Sequence, residues 1–230
     1  MEGANLKQCI IEFNGLPGTG KTTITRLLQQ KLNDSEQETH LSYFRIKYYF
    51  RWFLPIFLPR YWGMICNINS YSRQYPERRK MIIRMAYVNY LKMYRNFISD
   101  KKKGDLLIDQ GLIQALISLS YKDKLLKTRN LDQLLKKSKL DKLPIVFVNC
   151  DVDTKISAER IRSRPYRSGW RIENLNDTEL LNTLSIQAEN FAFIRSYIKD
   201  IYPTVRMLNI DTHVDPQQNV EMIFHYLETL

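Results

Sequence analysis

The stretch Ile10–Leu28, IIEFNGLPGTGKTTITRLL, decides the fold. Within it Gly15, Leu16, Pro17, Gly18, Thr19, Gly20, Lys21 and Thr22 match G-x-x-x-x-G-K-[ST], a loop that cradles phosphates when it joins a strand to a helix. Both neighbours have the required character. Cys9–Phe13 is a short, mostly apolar run that predicts a buried strand, and Thr22–Leu32 carries Ile24, Leu27, Leu28 and Leu32 at helical spacing. Glycines in the loop admit positive φ and let backbone N–H groups approach an anion with no Cβ in the way. The helix start behind them, with Thr22 and Thr23, adds its positive dipole end. Lys21 is placed to reach β- and γ-phosphates, and the Thr22 hydroxyl to bind Mg²⁺. A nucleoside triphosphate with Mg²⁺ is therefore the expected ligand.

At 230 residues the chain can bury a substantial core, and its length favours one α/β domain over residues 1–230. The first residues, MEGANLKQ, carry no basic region followed by an apolar one, so no secretory signal is expected. Cys9, Cys66 and Cys150 form no C-x-x-C pair and are expected to be reduced thiols in a cytoplasmic protein. The histidines are scattered without metal-ligand spacing. The net charge of +11 is concentrated: residues 41–104 hold 14 Lys or Arg against Glu77 and Asp100, leaving 21 basic and 22 acidic residues elsewhere.

Further along, Leu41–Lys47 alternates weakly as a strand, and Pro55 and Pro59 interrupt any long helix nearby. Ile83, Tyr87, Leu91, Tyr94 and Ile98 share a helical face. Leu106–Ile108 is a buried strand ending at Asp109, followed by a helix over Leu112–Leu119. Asn130 is placed to cap a short amphipathic helix ending at Lys137. Pro144–Cys150 is the clearest strand, and Asp153 caps a helix through Arg164. A long helix follows over Thr178–Lys199, with Leu181, Leu184, Ala188, Phe191 and Ile198 facing inward, then a strand at Val205–Ile210 and a closing helix from Val220. Strands alternating with helices imply parallel β-α-β units, with ligands beyond the carboxyl ends of the strands, where Asn14, Asp109 and Asp151 fall.

Asp109 is placed as the acidic partner of the loop, holding Mg²⁺ directly or through water. Its plainer reading is a cap for the helix opening near Gln110. No glutamate follows it to activate water, and neither N-K-x-D nor a D-x-x-G switch is present, so hydrolysis and guanine-nucleotide switching lack their usual equipment. RIRSRPYRSGWR, Arg160–Arg171, points instead to transfer. Arg160 and Arg164 share a helical face, Pro165 ends the helix and Gly169 permits a mobile loop. Phosphoryl transfer depends on positioning and on cations around the moving charge, which an arginine-bearing lid over residues 160–175 supplies. A solvated basic helix end is the alternative.

GLPGTGKTT, LLIDQG and VNCDVDTKISAERIRSRPYRSGW together resemble the P-loop nucleoside-monophosphate-kinase group, thymidylate-kinase-like proteins in particular. The resemblance implies a three-layer α/β fold with a parallel sheet of about five strands, ATP and Mg²⁺ as donor, and an acceptor site under the segment between the first helix and Asp109. It also implies that Arg160 borders the adenine, that Arg164 and Arg167 contact the transferring phosphate, and that the loop Asp211–Pro216 lies beside the adenine. Thymidylate kinases follow this central strand with Asp-Arg and deoxynucleoside kinases with Glu-Arg, where this chain has Asp109-Gln110, so one contact expected for a nucleotide acceptor is missing.

Residues 41–104 form a basic, aromatic insertion within this plan. Two arginines and two prolines interrupt Tyr48–Cys66 and rule out a comfortable bilayer span. Its aromatics are expected to pack as a helical cap that doubles as acceptor pocket, with Arg45, Arg51, Arg73 and Arg84 gripping an anionic acceptor. Peripheral contact with an anionic membrane through Trp52 and Trp62 is the second reading. Nucleic acid is not expected as a partner; a homodimer is admitted. The expected activity is a cytoplasmic small-molecule kinase, with Lys21, Asp109, Arg164 and Arg167 catalytic and a nucleotide, sugar or other metabolite as acceptor. The alternative is a regulatory or membrane-associated P-loop ATPase.

Overall fold

The computed structural model describes residues 8–35, 39–42, 59–73, 80–99, 104–120, 123–164, 172 and 174–230. Among the described residues five strands form one sheet: β1 (Ile10–Gly15), β2 (Thr39–Ser42), β3 (Asp105–Ile108), β4 (Ile145–Asp151) and β5 (Arg206–Asp211). Their order is β2-β3-β1-β4-β5 and every neighbouring pair is parallel. The helices among the described residues are α1 (Lys21–Asp34), α2 (Pro59–Ser72), α3 (Lys80–Ser99), α4 (Leu112–Ser120), α5 (Arg129–Ser138), α6 (Thr154–Arg162), α7 (Asp177–Ile201) and α8 (Pro216–Glu228).

The central strands are apolar on both sides because helices cover both faces. On one side Ile11, Phe13, Leu107, Val146 and Val148 pack on α1 and α8 through Ile24, Leu28, Val220 and Ile223. On the other, Ile10, Leu106, Ile108, Ile145 and Phe147 meet α2, α3, α4, α5 and α7. The expected three-layer architecture with five parallel strands is the one observed.

Several boundaries differ from expectation for identifiable reasons. β2 ends at Ser42, and the rest of the expected strand to Lys47 lies outside the described residues. Pro59 opens α2 instead of merely interrupting a helix, since a first-turn proline gives up an amide that has no intrahelical acceptor. α5 is capped by Thr128, whose side chain accepts from Leu131 N, and Asn130 lies inside the helix. Asp153 caps α6 as expected, but that helix ends at Arg162. α7 starts at a capping box of Asn176 and Glu179.

The described part of the aromatic insertion packs as a helical cap. Tyr61, Met64, Ile68 and Tyr71 on α2 and Tyr87, Leu91, Tyr94 and Phe97 on α3 are buried in the larger core, while Trp62 is 54% exposed. Among the described residues no helix is long and apolar enough to cross a membrane. Cys9, Cys66 and Cys150 are free thiols, the first and last buried in the sheet.

Candidate active site

β1 is the middle strand, and its carboxyl end delivers the glycine loop to the edge where β3 and β4 also finish. Gly18 and Gly20 hold φ of 88° and 80°, which L side chains rarely adopt. Gly15 is constrained by space as well, because a Cβ there would lie 2.2 Å from the Cys150 carbonyl oxygen. Gly20 serves as N-cap of α1 with no side-chain cap. The first amides of that helix have no intrahelical acceptor, so they remain donors for an anion. Ser157 Oγ on α6 donates to Pro17 O at 2.5 Å and braces the loop from behind.

Lys21 lies buried inside the loop, its Nζ donating to Gly15 O (2.8 Å), Leu16 O (2.7 Å) and Thr19 Oγ1 (3.1 Å). Burial pushes the ammonium down to about 8, the Arg164 and Arg195 guanidiniums add to the fall, and the Asp109 carboxylate opposes it. Thr22 Oγ1 donates to Asp109 Oδ2 at 2.8 Å. The other carboxylate oxygen, Asp109 Oδ1, is buried and has no hydrogen-bond partner. A hydroxyl beside a carboxylate with a spare lone pair is an all-oxygen donor set of the kind Mg²⁺ takes when phosphates and waters complete its shell. Among the described residues no cluster of three His, Cys, Asp or Glu could hold a metal alone. Asp109 is not the cap of the following helix, because α4 opens at Leu112 and Ile113 N donates to Glu12 instead.

Arg160 reaches from α6 across to the loop, donating to Thr212 O (3.0 Å) and Gly18 O (3.5 Å). It thereby joins the glycine loop to the turn that follows β5. Arg164, just past α6, is exposed and close enough for its charge to act on Lys21. Arg162 points elsewhere and ties α6 to Asp177. Arg167 and half of the expected lid, like Arg45 and Arg51, lie outside the described residues. The Arg84 side chain is likewise outside them; Arg73 is exposed at the end of α2. The structure thus brings together Lys21, Thr22, Asp109 and Arg160, with Arg164 nearby; of the four arginines expected to grip an acceptor, Arg73 alone has a described side chain.

Arg195 on α7 was not expected at this site. Its side chain is 13% exposed and donates to Asn14 Oδ1 (2.9 Å) and to Asp151 Oδ1 (2.6 Å). Asn14 in turn donates to Asn149 Oδ1 (2.9 Å), and Asn149 to Asn209 Oδ1 (2.7 Å). These three asparagines stand in register on β1, β4 and β5, so the row runs straight across the carboxyl edge. It fixes the residue before Gly15 and leaves a guanidinium beside the loop. The signal was present in the spacing: Ala188, Phe191, Arg195 and Ile198 fall on one face of α7, where an arginine among apolar residues needs partners.

No protein-family model matches the chain, and no curated protein matches it in sequence. Among solved structures, deoxyadenosine kinase from M. mycoides with bound dATP is 16% identical and superposes with a TM-score of 0.53, covering 96% of this chain and 100% of that one. The same kinase with bound dCTP gives 14% identity and the same TM-score, with the same coverage. The chain has the fold of a P-loop kinase. At this identity the likeness is one of architecture, and the chemistry rests on the residues above.

Proposed function

We propose that the chain is an ATP-dependent phosphotransferase that moves the γ-phosphate of Mg-ATP to a small acceptor carrying a free hydroxyl. The observation that carries this reading is the Thr22–Asp109 pair beside a buried Lys21, with Asp109 Oδ1 left to a further partner. Lys21 exchanges a loop carbonyl for a phosphate oxygen, and the loop amides hold the rest of the polyphosphate. Thr22 and Asp109 hold Mg²⁺, which neutralises charge on the phosphates when bound. Arg160 borders the adenine, and Arg164, with Arg167 from the proposed lid at 160–175, meets the transferring group and excludes water.

The acceptor site is assigned to the segment between α1 and Asp109, of which α2 and α3 are described. Gln110 is exposed and uncharged, so it offers no cation to an acceptor phosphate. A nucleoside monophosphate would lose that contact, and a nucleoside is proposed as the acceptor. The likeness in fold to proteins named deoxyadenosine kinase supports a nucleoside-class acceptor. Lys21→Ala and Asp109→Asn should each abolish Mg²⁺-dependent ATP turnover while the chains stay folded. Turnover retained in either variant would refute the assignment.

A further inference from the structure

β1 carries a carboxylate where a central parallel strand should be apolar on both faces. Glu12 is 0% exposed and sits on the strand face that meets α3, α4 and α7. Burying such a group is expensive unless its oxygens are satisfied. Here both are: Oε1 accepts from Ile113 N at 2.9 Å, and Oε2 accepts from the Tyr94 hydroxyl at 2.6 Å. Ile113 N belongs to the first turn of α4, whose amides have no intrahelical acceptor, and that turn contains no acidic residue of its own. The cap for α4 comes from a strand 101 residues earlier in the chain.

The same carboxylate governs the chain just before that helix. A Cβ on Gly111 would lie 2.3 Å from the Glu12 carboxyl carbon and 2.5 Å from the Tyr94 hydroxyl, so the backbone passes directly over the pair. On the other flank, Glu12 stands in register with Ile108, the residue before Asp109. The Glu12 carboxylate therefore holds the α4 end of the Asp109–Gly111 turn, while its backbone lies beside the β3 end. Tyr94 ties this anchor to α3, the wall of the basic aromatic region.

We propose that Glu12 is a positioning residue that sets the orientation of Asp109 by clamping the Asp109–Gly111 turn between β1 and the start of α4. The proposal rests on the reading of Asp109 as a ligand of Mg-ATP. It assigns Glu12 no contact with substrate.

The test compares wild type with Glu12→Met, which keeps the length but loses the acceptor, Glu12→Gln, which keeps an acceptor oxygen, and Tyr94→Phe. Two readouts are taken. Amide hydrogen exchange in the free chain follows residues 110–115 against the strand amides of β1 and β4. Calorimetry measures ATP affinity with and without Mg²⁺. Glu12→Met should speed exchange at Ile113 while the strands stay protected. It should also cut the Mg²⁺-dependent gain in ATP affinity about tenfold, as loss of a group behind a metal ligand does, leaving Mg²⁺-free binding nearly unchanged. Glu12→Gln should restore both, and Tyr94→Phe should give a smaller change of the same sign. A folded Glu12→Met chain with Ile113 protected and the Mg²⁺ gain intact would overturn the proposal. Should that chain not fold, an unchanged Tyr94→Phe would do so. If wild type itself shows no Mg²⁺-dependent ATP binding, the phosphotransferase reading falls, while the exchange data still decide whether Glu12 clamps the turn.

Discussion

Replacing Glu12 by Gln should change how stability depends on pH, with a sign and size that the burial of this residue dictates. Burial pushes the Glu12 carboxyl from its ordinary 4.5 up to about 7, against the opposing hydrogen bonds from Tyr94, Ile113 and Leu112. The folded chain thus holds a proton on Glu12 over a window where the unfolded chain has lost it. Stability from this group is full below the unfolded value of 4.5 and is lost as pH rises through about 7. At about 1.36 kcal/mol per pH unit the loss is about 3 kcal/mol across the window. The facing titratable groups do not compensate, because burial raises Tyr87, Tyr90 and Tyr94 and keeps them neutral there. The Gln variant has no proton to lose. Urea unfolding of both proteins at a series of pH values should show the stability difference moving by about 3 kcal/mol in favour of the variant between acid and mildly alkaline solution, about 1 M in midpoint for a chain of this size. Parallel pH profiles would refute the reasoning.

Lys21→Ala removes a charged donor from the phosphates, for which about 1.5–3 kcal/mol is typical, so ATP affinity by calorimetry should fall about 10- to 100-fold. Gly15→Ala and Gly20→Ala both place a side chain at positive φ, but only the first drives it into the Cys150 carbonyl, at 2.2 Å, whereas nothing lies within 4 Å of the second. Urea unfolding should therefore cost about 3 kcal/mol for Gly15→Ala against about 1 kcal/mol for Gly20→Ala. Arg195→Lys keeps the charge but cannot hold Asn14 and Asp151 together, and steady-state kinetics should show kcat reduced about tenfold with ATP KM less affected, as expected for a lost fork geometry beside the glycine loop.

The parts of the site legible in the sequence are those made by neighbours in the chain. Strand, glycine loop and helix follow one another without interruption, so Gly15 to Thr22 and the central strand needed no tertiary information. Asp109 was legible because a short apolar run ending in a carboxylate marks the carboxyl edge of a parallel sheet. Arg195 and Glu12 were not, because each acts across long separations: Arg195 bonds Asn14, 181 residues away, and Glu12 caps a helix 101 residues on. Their only local signature is a charge on an otherwise apolar face. The row Asn14, Asn149 and Asn209 exists only once the register of three strands is known. The start of α2 at Pro59 was missed because a proline that stops one helix can equally open the next.

The central claim, that phosphate is handed to an acceptor and not to water, is tested most directly by incubating the chain with Mg-ATP and a pooled set of nucleosides, nucleoside monophosphates, sugars and sugar phosphates. ADP and every acceptor are followed by mass spectrometry. The account predicts one class of acceptor, nucleosides, gaining the mass of a single phosphoryl group in step with ADP, and no such product from Lys21→Ala. ADP and free phosphate formed at the same rate whatever acceptor is present would contradict it.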